Sequence, residues 1–205
     1  MLSSWISAFY LKDVQILQLK QSFLTAEPFP FAALPEFFLP KKAEAVRLAL
    51  RQEPFERKEA DLFQFFQTQD IRGTASLVLQ EFRTFLASWD FIQYLEQLTG
   101  IALQQGTIDM AGTLYEDTDF LLCHDDQLER RRLAYFLYLS DLQEQEGGEL
   151  QLFASQKGQP QQVARTIVPK FNTFAFFLVS PASFHAVAEM QVKKQRWALS
   201  GWFHG

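Results

Sequence analysis

From residue 101 to residue 205 the chain carries no stretch with apolar residues at helical spacing. It offers instead short β-branched and aromatic runs broken by glycine, proline and acidic turns. "TLYEDTDFLLCH" reads as strand, acidic turn, strand; "RRRLAYFLYLS" reads as a strand, and "EQEGGELQLFA" as a turn entering another. "RTIVPKFNTFAFFLVS", "FHAVAEM" and "RWALSGWFHG" supply further strands, with "QKGQPQQV" as a surface loop. A parallel doubly wound sheet needs a helix between successive strands, and this half has none. The pattern predicts an all-β core, a double-stranded β-helix or jelly roll.

The first hundred residues have a helical texture. Asp13 is placed to cap "VQILQLKQSFL", which the proline-rich "AEPFPFAALPEFFLP" then interrupts. "KKAEAVRLALRQE", "RKEADLFQFFQTQDI", "ASLVLQEFRTFLAS" and "DFIQYLEQLTG" each carry an apolar stripe and are predicted as helices. Such stripes must pack on something, and no linker separates the halves. The expectation is therefore one domain over 1–205, with 1–100 mainly a helical support and 101–205 the jelly-roll core that holds the site. The 22 phenylalanines read as core packing, although exposed ones on the helices would equally serve an oligomer interface, so the oligomeric state stays open.

Composition excludes some classes. At 48% hydrophobic the chain is not disordered. Its 19 basic and 24 acidic residues, a formal charge of −5, argue against a nucleic-acid surface. No apolar run is long enough to cross a bilayer, so no membrane partner is expected. A single cysteine, Cys123, cannot form an internal disulfide and, without a secretion signal, points to a reducing cytoplasm.

The residues that carry chemistry begin with His124 and Asp126. On an extended segment, side chains two apart point the same way, so both can approach one ion while Asp125 points elsewhere. His185 is the distal partner. Two imidazoles and one carboxylate suit Fe(II) and leave positions open for cosubstrate and oxygen; a structural zinc site wants four protein ligands and more thiolate. Arg196 stands 11 residues beyond His185, on a strand whose alternation puts Arg196, Ala198, Ser200 and Trp202 on one face. Its guanidinium can receive the free carboxylate of a chelated 2-oxo diacid bidentately. By themselves, a His-x-Asp pair is also the mark of an ordinary polar turn, and Arg196 that of an edge-strand surface residue. Arg130, Arg131 and Arg132 read as a cluster that alternates between cosubstrate-side support and solvent, the solvated reading being the first. The acidic "EDTD" and "QEQEGGE" turns suit a basic target.

Taken in order, "DLFQFFQTQDI", "DMAGTLYEDTDFLLCHDD", "RRRLAYFLYLS", "GGELQLF", "VSPASFHAVAEM" and "RWALSGWFHG" resemble the 2-oxoglutarate- and Fe(II)-dependent dioxygenases of the prolyl-hydroxylase-like branch. Within it, the chain resembles the ribosomal-protein prolyl hydroxylases of the Tpa1 and OGFOD type. The resemblance implies that His124, Asp126 and His185 are the iron ligands and catalytic centre. It implies that Arg196 binds the distal carboxylate of 2-oxoglutarate, that Tyr138 helps to hold it, and that Tyr115 lines the cosubstrate and substrate pocket. Fe(II), 2-oxoglutarate and O2 follow as cofactor and cosubstrates, with L-ascorbate as reductant. The implied reaction hydroxylates a prolyl residue of a protein, a ribosomal protein first, while 2-oxoglutarate becomes succinate and CO2. Halogenating relatives replace the carboxylate of Asp126 with a small residue, so its presence points to hydroxylation. The same chemistry on a free amino acid or other small molecule is the alternative, and a non-catalytic jelly-roll binding protein a second. The chain departs from its relatives at Ala198, where a serine often stands, and in "LQEQEGGEL", which lacks their tryptophan and proline. Its length matches the catalytic jelly roll alone, without the second, degenerate one of many eukaryotic relatives.

Overall fold

Start signals and apolar stripes coincide in four helices. Helix α1 (Asp13–Leu24) begins with Asp13 as its first helical residue. Lys12, not Asp13, is the N-cap, and the aspartate favours the positive end of the helix dipole without bonding a cap N–H. Helix α2 (Pro40–Leu50) starts on a proline, whose missing N–H has no helical partner to lose there. Ser76 and Ser88 cap α3 (Leu77–Leu86) and α4 (Trp89–Thr99), accepting from Leu79 N–H and Phe91 N–H. Gly100, at φ 72°, closes α4 in the left-handed conformation. The computed structural model describes residues 2–128 and 130–205. Among them, no helix is long and apolar enough to cross a membrane.

The helix predicted in "RKEADLFQFFQTQDI" is instead a hairpin of β2 (Phe55–Ala60) and β3 (Phe63–Thr68). An aromatic run such as "FQFF" fits a period of 3.6 as well as 2. The strand wins because β3 finds edges to pair with on two later strands, β4 (Ile108–Tyr115) and β5 (Phe120–His124). The proline-rich stretch likewise contains a short strand, β1 (Phe31–Leu34). The remaining strands are β6 (Arg131–Tyr138), β7 (Leu150–Gln156), β8 (Gln159–Ile167), β9 (Thr173–Leu178), β10 (His185–Val187) and β11 (Arg196–His204). The "QKGQPQQV" loop shrinks to a turn at Lys157 and Gly158, both at positive φ, and β8 takes the rest.

All strand pairs are antiparallel, in the order β1-β9-β6-β11-β4-β3-β5-β10-β7-β8, with β2 on the side of β3. This is a jelly roll of two sheets, β1-β9-β6-β11-β4 and β5-β10-β7-β8, joined across one end by β3. The helical layer covers the first sheet. Phe37 stacks on Phe174 of β9 at 5.1 Å, while Phe38 meets the same ring edge-on at 5.6 Å. Phe82, Phe85 and Phe91 extend that aromatic layer from α3 and α4. Each such fully buried ring contributes about 1.5–3 kcal/mol. With one sheet face anchored this way, its other face is free to look across at the second sheet, where the site lies.

Candidate metal centre

His124 ends β5 and His185 begins β10, and the antiparallel register sets them directly opposite each other. Their rings lie 4.1 Å apart, centroid to centroid. Asp126 does not lie on an extended segment. It follows the end of β5 at φ 60°, and this left-handed turn swings its carboxylate back between the imidazoles. Oδ1 is 3.4 Å from His124 Nε2 and Oδ2 is 3.4 Å from His185 Nε2. Asp125 points away and bonds Gln127, as the sequence suggests.

The orientation of the rings is fixed from behind. His124 Nδ1 lies 2.9 Å from the Leu122 carbonyl, and His185 Nδ1 lies 2.9 Å from the Ser183 carbonyl. A carbonyl can only accept, so each Nδ1 carries a proton and Nε2 is the nitrogen left facing Asp126, its lone pair free whenever the ring is neutral. Two Nε2 atoms and a carboxylate converging within 4.8 Å need a cation among them, a proton in the free protein or a metal ion in its place, so this donor set fits a metal ion. Burial pushes the Asp126 carboxyl up, but the two imidazoles override it and hold it well below the usual carboxylate range. Burial pushes His124 down, and the Asp126 carboxylate reverses this to a net upward shift.

Deeper in the fold, Arg196 is 1% exposed at the start of β11. Its Nε donates to the Gly148 carbonyl over 2.7 Å. Gly148 is at φ 73°, and a Cβ there would come within 2.9 Å of the Arg196 side chain, so only glycine makes room for it. Arg196 Nη2 and the Tyr138 hydroxyl are both buried without a hydrogen-bond partner among the described residues. Such orphans cost about 1–3 kcal/mol each, a cost that an anion bound between them removes. The guanidinium lies 4.8 Å over the Tyr115 ring and 5.2 Å over that of Tyr138. Burial raises the Tyr138 hydroxyl to about 12, with Arg196 pulling the other way, so it stays a neutral donor. A cavity of about 110 Å³ links Arg196, Tyr115, Thr113 and Ser200 to the two histidines and Asp126. Tyr138 is not on its wall and stands against Arg196. Ala198, paired with Tyr138 and Thr113, is fully buried and offers no side-chain donor.

Residues 110–204 match the family model described as the 2OG-Fe(II) oxygenase superfamily. The chain is 38% identical to prolyl 3-hydroxylase OGFOD1 of Xenopus laevis over 186 residues, which is 89% of this chain and 36% of that protein. It is 32% identical to prolyl 3-hydroxylase sudestada1 of Drosophila melanogaster over 195 residues, 88% of this chain and 35% of that one. The chain thus spans about a third of the length of these curated relatives. Among solved structures, the fold is similar to a Pseudomonas putida prolyl-4-hydroxylase, with a TM-score of 0.73 at 18% identity, covering 92% of this chain and 98% of that one. The chain belongs to the 2OG-Fe(II) oxygenase superfamily.

Two further groups touch Asp126 at this site. Trp202 donates its indole N–H to Asp126 Oδ2 over 3.0 Å. Arg131 stacks on the same indole, 3.3 Å from the ring centroid, with Nη1 3.7 Å from Asp126 Oδ1. Strand alternation places Trp202 on the face of Arg196, and that is its signal in the sequence. Arg131 has none beyond its place among three arginines. At the start of β6 the register slips, so that Phe203 faces Leu133 but His204 faces Arg131. That bulge re-aims Arg131 from solvent to the site, and no residue in "RRR" announces it.

Proposed function

We propose that this chain is a single-domain 2-oxoglutarate-dependent dioxygenase that hydroxylates a prolyl residue of a protein, a ribosomal protein being the leading target. His124, Asp126 and His185 hold Fe(II), and Arg196 with Tyr138 receives the distal carboxylate of 2-oxoglutarate. The observation that carries this reading is a pair of buried, partnerless donors, Arg196 on the wall of the small cavity that also holds two histidines and a carboxylate, and Tyr138 behind it against the guanidinium. A site for metal alone needs no such pair. The names of the relatives support the prolyl target and favour C3 of the ring.

When bound, iron with 2-oxoglutarate and O2 supplies the oxidising power that breaks an unactivated C–H bond, and 2-oxoglutarate leaves as succinate and CO2. The chain's own residues do the positioning. The backbone carbonyls of Leu122 and Ser183 keep both imidazoles in the ligating tautomer. Trp202 and Arg131 hold the carboxylate of Asp126 in one rotamer. Tyr115 and Phe65, stacked at 4.9 Å, wall the cavity and exclude water from it. L-ascorbate as the reductant and the cytoplasm as the compartment belong to the same proposal, the latter resting on the lone Cys123.

The test is an assay of anaerobically purified protein with Fe(II), ascorbate and 2-oxoglutarate, in which oxygen is admitted and succinate quantified. His124→Ala and Arg196→Ala are run in parallel, each with and without a ribosomal-protein extract. Succinate that depends on both residues and rises with extract, together with a tryptic peptide heavier by one oxygen atom, supports the proposal. Succinate without stimulation redirects it to small molecules. No succinate from folded protein that also fails to bind iron overturns it.

A further inference from the structure

The cavity at the metal centre opens in both directions along β3. On one side it continues into a groove of about 420 Å³ walled by Leu62, Phe63, Phe65, Leu121 and Leu122. Leu62 and Leu122 are 59% and 47% exposed, a large apolar rim set beside His124. On the other side a cavity of about 240 Å³ runs past Thr68 and Gln69 to Asp70 and Asp109, with Trp202 as its inner wall. Gln67 lines all three spaces and Lys58 both outer ones, so they form one groove running past the metal centre. The two ends differ in chemistry. Asp70 and Asp109 face one end, Asp70 engaged by the Arg72 N–H and Asp109 by His204. Lys58 lines both ends, and its ammonium is drawn aside to Glu56 at 3.0 Å. Apart from Lys58, Gln67 and His124, the other end is walled by leucines and phenylalanines.

We propose that this groove selects an extended peptide carrying a large apolar side chain on the Leu62 and Leu122 side of the hydroxylated residue and a lysine or arginine on the Asp70 and Asp109 side. The inference rests on the function proposed above and specifies its substrate. Continuity with the metal cavity makes the groove part of the path to it, and the carboxylates at one end fit a cationic side chain. The six residues of β3 span roughly 17 Å at about 3.3 Å per residue, so the two anchor residues lie about four to six positions apart in an extended chain. An apolar rim of this kind discriminates by covering, and an acidic end by charge. Together they exclude acidic peptides at one end and polar ones at the other.

The experiment uses fluorescein-labelled peptides with a central proline, bound to the full chain with Fe(II) and 2-oxoglutarate under anaerobic conditions and followed by anisotropy. The flanks are apolar and basic in either order, apolar on both sides, apolar and acidic, or polar on both sides. A peptide with one apolar and one basic flank should bind about ten-fold more tightly than any other class, and the favoured order gives the direction of the bound chain. Leu122→Glu should remove the preference for the apolar flank, and Asp70→Asn the preference for the basic one, each leaving the other in place. Equal binding of the acidic or doubly apolar peptide, or a ranking that neither substitution alters, overturns the inference. Calorimetric binding of 2-oxoglutarate to the same proteins separates the two readings. Cosubstrate binding without peptide discrimination sinks the groove alone, whereas its absence from wild-type protein sinks the dioxygenase reading.

Discussion

The indole N–H of Trp202 is hydrogen-bonded to Oδ2 of Asp126, so a residue near the end of β11 sets the carboxylate that completes the histidine pair. Trp202→Phe keeps a ring under Arg131 and removes only the donor. Metal affinity should fall about 10- to 100-fold, with stability lowered by only about 1 kcal/mol. Titration with Mn(II), followed by the magnetic signature of the free ion, measures the first, and urea unfolding the second.

Asp126 is a non-glycine residue at φ 60°. Asp126→Gly should therefore leave the fold as stable as before or raise it by up to about 1 kcal/mol, while Asp126→Ala should lower it by a similar amount. Both should abolish hydroxylation. Paired unfolding curves and the succinate assay show whether strain and chemistry separate in this way.

Removing the Tyr138 hydroxyl costs the protein no internal hydrogen bond, because the group has no partner among the described residues. Tyr138→Phe should leave the melting temperature unchanged or higher, yet raise the KM for 2-oxoglutarate. Arg196→Lys should weaken 2-oxoglutarate about 10- to 100-fold, since hydrogen bonds to charged groups contribute about 1.5–3 kcal/mol and lysine cannot make the paired contact. A calorimetric titration of each variant with 2-oxoglutarate decides both.

The upward shift of His124 has a definite sign for stability. Its folded value lies above the ordinary one, so the metal-free protein gains stability from the imidazolium at low pH and loses that contribution as pH rises through the folded value. A metal ion must displace the same proton, so metal affinity should rise with pH over that window. Unfolding free energies of the metal-free protein and Mn(II) affinities, measured on both sides of neutrality, should therefore run in opposite directions. Parallel trends would show that His124 does not carry the proton.

Much of the jelly roll was legible because turns are local. "EDTD", "EQEGG" and the prolines mark where strands must stop, whatever they later pair with. The first hundred residues were harder. Strands β1 and β3 exist only because distant strands offer them edges, and nothing within "FAAL" or "FQFFQT" encodes a partner. The site shows the same division. His124 and His185 were readable as residue types at strand ends. The route to Asp126 was not, because side-chain alternation assumed an extended backbone where the chain turns left-handed. Arg131 was legible only as one of three arginines divided between site and solvent, since a bulge in β6 decides which of them faces Asp126.

Arg196 stands on one sheet and donates its hydrogen bond to the carbonyl of Gly148, in the loop that leads into β7 of the other. The anion pocket is therefore also a seam of the sandwich. A dicarboxylate seated there adds bonds to Arg196 at the place where the two sheets meet, so the ligand braces the barrel as well as feeding the reaction. Amide hydrogens of both β7 and β11 should exchange more slowly when 2-oxoglutarate is present, including those far from the metal. The groove would then stiffen with the supply of cosubstrate, making its rigidity a readout of 2-oxoglutarate concentration.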